Sequence, residues 1–501
     1  MSGRMSRVGR ELFQRIEAVL GRREAGWILA LVFAGVYAWG YFHHPLFPGH
    51  ENASLERGWW TWSDQKRYLD EAAAIARWQL DPKTYFYPAG YPLLGALFWR
   101  WMPVNPFFVP DLLLALVAAA IWWRLAQRWV NRLVALVIAV VFLVAHRTLL
   151  GNTMLVPWNT LGSQAALLAG VWVVMEKSGR AAVGWLCGLA AATYWIRPVD
   201  MAPFAPVLAF ALWKLETWTQ RVGWALLSLL TIGAAVAGVG ALNLAIFGHW
   251  RTPYEWASLH GIGFFSYPMS LKAFWLLIDG QLFFGETEPA LLWRFPWLPI
   301  AIVGIVFWIR HEGARAVAAS LAVALSWTVY FNYNDFLPSD IYRFTLIHYL
   351  TWSFPLLFLL AATACWRGWR DRGVRWAFAA SVVMLALCIG LHLDEGAPLE
   401  PRSESPNVWR ISEKRPLLIE FPGTPIEKAS ALRLDNRPLI EYSDFLLPYE
   451  NATELRLVLG VRTPGTALTL ANSETPKTAP TVREFRWRWR FDRQRLSRVL
   501  P

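Results

Sequence analysis

GWALLSLLTIGAAVAGVGALNLAIF, residues Gly223–Phe247, contains no charged side chain. At about 1.5 Å of helical rise per residue, such a run covers the roughly 30 Å hydrocarbon core of a bilayer. Comparable runs lie on both sides of it, at about Gly26–Tyr41, Phe107–Trp123, Leu133–Ala145, Leu161–Met175, Ala181–Trp195 and Val199–Trp213, then Leu291–Ile309, Ala316–Phe331, Phe344–Ala364 and Trp376–His392. The expected fold class is therefore an α-helical multi-pass membrane protein with about eleven transmembrane helices. Helices are the expected spanning elements because a helix satisfies its own backbone polar groups away from water.

Composition agrees with that reading. The chain has 501 residues, 55% hydrophobic and only 17% charged, with a mean hydropathy of +0.31, which excludes an ordinary soluble globular protein. A net charge of +12 would suit nucleic acid, but the Lys and Arg lie mostly in short loops between apolar runs and so report orientation. Alternate loops carry Arg124, Arg128 and Arg132, then Lys177 and Arg180, Lys214 and Arg221, Arg310 and Arg315, and Arg367, Arg370, Arg372 and Arg375. These loops are expected to face the cytoplasm, as is the leader bearing Arg4, Arg7, Arg10, Arg15, Arg22 and Arg23 ahead of a retained first helix. An odd number of spans then places the loop 44–92 and the C-terminal tail on the outer, periplasmic side of a cell inner membrane. Cys187, Cys365 and Cys388 lie in or beside predicted spans, so neither a disulfide framework nor a zinc ligand set follows from them.

Two domains are expected, residues 1–393 in the membrane and 394–501 as a small β-rich domain, joined by the Pro, Glu and Ser-rich linker DEGAPLEPRSESP. In the tail, ELRLVLGVR (Glu454–Arg462) and ALTLA (Ala467–Ala471) alternate as strands do. The last run, REFRWRWRF, puts Phe485, Trp487, Trp489 and Phe491 on one strand face and Arg486, Arg488 and Arg490 on the other. It reads as a closing strand or as a basic surface for anionic headgroups or sugar phosphates. The sequons at Asn52 and Asn451 are expected from chance.

The stretch best suited to chemistry is Trp59–Pro92, WWTWSDQKRYLDEAAAIARWQLDPKTYFYPAGYP. Ser63 or Asp64 is placed to cap a helix running to about Leu80, where Asp81-Pro82 ends it. Tyr68, Leu69, Ala72, Ile75, Ala76 and Leu80 recur at helical spacing, leaving Gln65, Arg67, Asp70 and Glu71 on the opposite face. Such a helix is expected to lie along the membrane surface. On this evidence Asp64 is either a helix cap or a carboxylate beside the mouth of the bundle.

This chain resembles the GT-C superfamily of multi-pass glycosyltransferases that use polyprenyl-phosphate sugars, in particular its protein-mannosyltransferase-like and aminoarabinose-transferase-like branch. The resemblance rests on SDQKRYLDEAAAIAR in the first outer loop, the turn YFYPAGYP, the span-end Ile196-Arg197-Pro198, FGHWRTPYEW, and IYRFTLIHYLTWSFPLL. It covers most of residues 1–393 and implies a GT-C-like bundle. Relatives often carry a Lys immediately before the proline turn, where this chain has Tyr87, and a second acid in the next outer loop, where RTLLGNTMLVPWNT has none.

The resemblance implies an inverting transfer of a sugar from a polyprenyl-phosphate donor to an exported lipid, envelope-glycan or protein acceptor. Asp64 matches the family's loop acid and is the expected general base. Cations at the outer surface would hold the donor phosphate: Arg197 and Arg343 first, then Lys83, Arg251 and His348, each equally readable as a snorkelling interfacial residue. Tyr68, Tyr85, Tyr87, Tyr91 and Asp340 are the expected substrate-pocket residues, with Asp335, Asp340, Glu255 or Glu286 placed to assist Asp64. No cofactor is assigned; a divalent metal at His43, His44 and His50 has no matched acid spacing behind it. The competing reading is a transporter or flippase for a lipid-linked glycan without transfer chemistry, which would favour ionisable groups in mid-span or paired broken helices.

Overall fold

A computed structural model describes residues 7–49, 57–256, 269–278, 290–333 and 346–367, single positions between 375 and 387, and beyond 391 the strand residues named below. The chain forms two compact units. One comprises Met1–Tyr254, Val303–Ser326 and His348–Val374; the other comprises Glu255–Ile302, Trp327–Ile347 and Arg375–Pro501.

The first unit is helical because its apolar runs lack the polar partners that any other backbone arrangement would need in lipid. In order come α1 (Arg7–Leu20), α2 (Arg23–Phe42), α3 (Ser63–Ala76), α4 (Gly90–Trp99), α5 (Phe108–Trp129), α6 (Arg132–Ala145), α7 (Arg147–Leu150), α8 (Asn159–Glu176), α9 (Gly179–Ile196), α10 (Phe204–Trp213) and α11 (Trp218–Phe247). Parts of helices Leu298–Glu312 and Ala314–Asn332, and the whole of Phe354–Arg367, complete this unit. The protein is a helical membrane protein, but eleven spans are not what the described residues present. Four helices are long and apolar enough to cross: α2, α5, α11 and Ala314–Asn332. A fifth exists if α6 and the turn Arg147–Leu155, bent by 77° at His146, count as one broken span.

The shortfall has local causes. Val199–Trp213 starts as a 3-10 turn at Pro198–Met201, and Leu291–Ile309 is interrupted between Arg294 and Leu298. Of Phe344–Ala364, residues 346–353 are 3-10 turns, and of Trp376–His392 only isolated positions are described before Leu391 enters a strand. The stretch RTLLGNTMLVPWNT is largely not a loop, since Arg147–Leu150 is α-helical and Gly151–Leu155 π-helical. At the charged ends of the spans, Arg128 bonds Glu312 at 2.9 and 3.0 Å and Glu176 at 2.6 Å, tying α5, α8 and Leu298–Glu312 together. Glu17 of α1 accepts from the free N–H groups of Arg132 and Leu133 at 3.3 and 2.6 Å, closing the N-terminus of α6.

An aromatic core positions the loop that carries Asp64. Tyr41, Trp59, Tyr68, Tyr91 and Phe107 are fully buried together, drawn from α2, the turn Gly58–Thr61, α3, α4 and the entry to α5. Gly58, at φ +53°, makes this possible, because a Cβ there would stand 2.2 Å from the Leu46 carbonyl oxygen.

In the second unit the alternating sequence forms two antiparallel sheets. One has the order β1 (Leu391–Leu399), β10 (Thr481–Trp489), β4 (Leu417–Phe421), β8 (Leu455–Leu459), β7 (Phe445–Leu446). The other has the order β2 (Arg402–Ser405), β3 (Val408–Ile411), β9 (Thr466–Leu470), β5 (Leu432–Leu434), β6 (Arg437–Pro438). The expected linker is thus mostly strand: Asp394 pairs with Arg486 and Glu395 with Phe485, and a register shift absorbs the turn residues before Pro398. The run read as a closing strand lies inside its sheet, between β1 and β4, with Val482 buried against Ile419 and Trp487, Arg488 and Trp489 exposed.

Candidate functional site

Helix α3 begins at Ser63 without a side-chain cap, which removes the capping role proposed for Asp64. Asp64 sits in the first turn, where the helix dipole favours a negative charge, and its Oδ1 accepts from the Tyr87 hydroxyl at 2.6 Å. The half-buried carboxyl has its pKa raised by burial; the Tyr87 hydrogen bond and the charges of Arg197 and Arg67 oppose that rise. Burial pushes the Tyr87 and Tyr68 phenols well above their usual range, so both are donors at neutral pH. The Tyr68 ring stands 4.7 Å from Tyr87 and 5.1 Å from Tyr91, and Tyr91 donates to both oxygens of the buried Asp111. The helix ends at Ala76, short of Leu80, and Trp78 takes a left-handed conformation at φ 56°.

The buried face of α3 differs from the apolar stripe expected of it. It carries Gln65, Tyr68, Glu71, Ala72 and Ala74. Glu71 is fully buried, and its Oε1 accepts from the backbone N–H groups of Phe86 and Tyr87 at 2.8 and 2.9 Å. Burial raises its pKa to about 8 against those two hydrogen bonds. Helical periodicity counts a carboxylate as outward-facing; here two amides fifteen and sixteen residues away supply partners that periodicity does not see. The same turn is held from its other side, with Tyr254 donating its N–H to the Phe86 carbonyl at 3.1 Å and its ring tilted against Tyr87 at 4.8 Å. The Arg67 guanidinium lies 3.7 Å over the Phe86 ring.

A second polar cluster forms where α9 stops at Ile196 before Arg197-Pro198. Arg197 is 4% exposed; its Nε lies 3.5 Å from Asp200 Oδ2, and its Nη1 donates to Asn159 at 3.4 Å. Its guanidinium lies 4.2 Å over the Tyr349 ring. Ser163 donates to Asp200 at 2.5 Å. His348 stacks 4.7 Å from Trp158 and lies tilted 4.0 Å from Tyr349, while Gln164 donates to its carbonyl and to Thr351. Of the expected phosphate-binding residues, Arg197 and His348 are thus brought together through Tyr349, and the Arg197 charge reaches Asp64.

Other expected residues are not gathered here. Tyr85 bonds the Gln79 carbonyl at 2.8 Å and packs on Ala74 and Ile246, in a separate cluster from Tyr68, Tyr87 and Tyr91. Lys83 and Arg251 are exposed. Arg343, Asp340, Asp335, Glu286 and His50 lie outside the described residues. His43 is exposed with Nδ1 at 2.8 Å from the Trp39 carbonyl, whereas His44 is buried, accepts from Leu46 N–H at 3.1 Å, and has its pKa lowered by burial. Among the described residues no three His, Cys, Asp or Glu side chains group as a metal site.

Glu71, Asp111, Asp200 and Tyr254 were not singled out from sequence. Asp200 carried a signal, three residues after Arg197 in a polar break between apolar runs; so did Asp111, a lone acid entering a span. Glu71 and Tyr254 stand inside the quoted motifs SDQKRYLDEAAAIAR and FGHWRTPYEW, but nothing in the line pointed to their partners, which are remote in sequence. The chain matches no protein-family model, no curated protein and no solved structure.

Proposed function

We propose that this protein is an integral-membrane glycosyltransferase of GT-C type, taking a sugar from a polyprenyl-phosphate donor and passing it to an exported lipid, envelope-glycan or protein acceptor. The observation that carries the reading is the Asp64–Tyr87 hydrogen bond, a carboxylate of raised pKa held at a span mouth with the Arg197 charge acting on it. Tyr87 occupies one lone pair of Oδ1, leaving Oδ2 to accept the proton of an acceptor hydroxyl. The acceptor oxygen then bonds the anomeric carbon as the bond to phosphate oxygen breaks, and the polyprenyl phosphate leaves with the electron pair. A single displacement inverts the anomeric centre.

Buried beside Asp200, Arg197 acts chiefly through its field, favouring the Asp64 carboxylate and the negative charge growing on the leaving phosphate. The exposed cation Lys83 would meet the phosphate itself. In this proposal the site faces the periplasm, the N-terminus and Arg-rich loops face the cytoplasm, the β-rich unit is periplasmic, and further spans complete the bundle beyond the four or five that qualify by length.

The experiment is transfer from a lipid-linked sugar by the purified protein and by Asp64→Asn; undiminished transfer in the variant removes Asp64 from the chemistry. The transporter reading draws on one observation, the 77° break at His146 followed by a π-helical turn. It would displace the enzyme if sealed vesicles moved the lipid-linked sugar with no product formed.

A further inference from the structure

The α3–α4 pair carries features that the transfer chemistry does not use. Spans α2 and α5 end at one level, with the rings of Phe42 and Phe108 4.8 Å apart. The pair lies between them in the chain, so this segment starts and finishes on one side of the membrane. Helix α4 has 10 residues, about 15 Å at 1.5 Å each, half of a hydrocarbon core. It therefore lies at the interface and does not cross.

On α4 and just beyond it, Leu93, Leu97 and Trp101 form one exposed stripe at four-residue spacing, with Trp101 74% exposed. The C-terminal end of α3 meets the same end of α4, where the Arg77 guanidinium lies 5.8 Å over the Trp99 ring. There Trp78 is 90% exposed and holds φ 56°, a conformation that glycine adopts freely and a bulky side chain resists. A large apolar ring is thus both strained and left uncovered by protein, two costs that water would not offset. Arg77 and Arg100 flank it, both exposed. Indoles beside guanidinium groups suit the depth of phospholipid headgroups, where the ring meets ester and acyl groups and the cation meets phosphate.

We propose that the shared C-terminal end of α3 and α4 is a docking surface for anionic phospholipid, with Trp78, Leu97 and Trp101 set into the interface and Arg77 and Arg100 on headgroup phosphates. The contact would set the depth of α3, and of Asp64 at its other end, without depending on what reaction Asp64 performs.

The test is native mass spectrometry of the full chain, released from nanodiscs of phosphatidylcholine alone or mixed with phosphatidylglycerol, alongside Tm in detergent. The wild type is expected to retain phosphatidylglycerol preferentially, and Arg77→Gln with Arg100→Gln to weaken that retention about tenfold or more. Trp78→Gly separates lipid contact from folding: relief of the left-handed strain should keep or raise Tm in detergent while phosphatidylglycerol retention falls. Unchanged retention in these variants, equal loss of phosphatidylcholine, or a co-purifying protein that covers residues 77–101 would each overturn the proposal.

Discussion

The Tyr87 hydroxyl donates to Asp64 Oδ1 at 2.6 Å, joining the first turn of α3 to the proline turn that precedes α4. That bond lowers the Asp64 pKa against the burial that raises it. A general base works only when ionised, so transfer should rise with pH through the Asp64 pKa. In Tyr87→Phe the opposing bond is gone, and the acid limb of the kcat/KM profile should move to higher pH. Asp64→Asn should lower transfer about 10²- to 10⁴-fold above the Asp64 pKa and should abolish the acid limb. A Tyr87→Phe profile superimposable on the wild type would dissociate the two residues.

Glu71 gives stability a pH dependence of its own. Its pKa rises from the ordinary 4.5 to about 8 on folding, so its protonated form is favoured in the folded chain. That stabilisation is complete below the unfolded value and is lost as pH climbs through about 8. Melting in detergent should therefore show Tm falling across that window, and Glu71→Gln should flatten the fall. Glu71→Ala should lower Tm at all pH values, because it strands two amide donors at about 1–3 kcal/mol each.

Arg197 and Asp200 form a buried pair, and removing one partner leaves the other charge in a dry site. Arg197→Ala should cost about 3–5 kcal/mol of stability. Arg197→Lys keeps the charge but loses the guanidinium contact over Tyr349 and the reach to Asn159. It should retain most of the transfer, because the field survives, while melting lower than the wild type, measured as Tm and kcat/KM on the same preparation.

Gly90 opens α4 against the end of α9, where an added Cβ would stand 2.4 Å from the Trp195 carbonyl oxygen. Backbone cannot swing aside as a side chain does. Gly90→Ala should destabilise by about 1–3 kcal/mol or more, read as a lower Tm, and should loosen the neighbouring Tyr91–Asp111 contact.

Much of this architecture was legible in the linear chain, because burial in lipid constrains composition directly. Uncharged runs such as Gly223–Phe247 mark α11 within a few residues, and alternation at Leu455–Leu459 marks β8. The end of α9 before Arg197-Pro198 was equally visible, since proline removes a helical donor. Periodicity and composition describe each segment against an averaged surrounding, and they stop there.

Tertiary structure decided the rest. That α6 breaks at His146, that DEGAPL enters a strand, and that Glu71 faces inward all depend on partners brought from elsewhere in the chain. The choice of Asp64 came from a motif, but its hydrogen bond to Tyr87 and the neighbouring Arg197 charge exist only once α3, the proline turn and the end of α9 converge. A carboxylate's ionisation is set by the dielectric and the charges around it, and those are properties of the packed molecule, not of the residues in line.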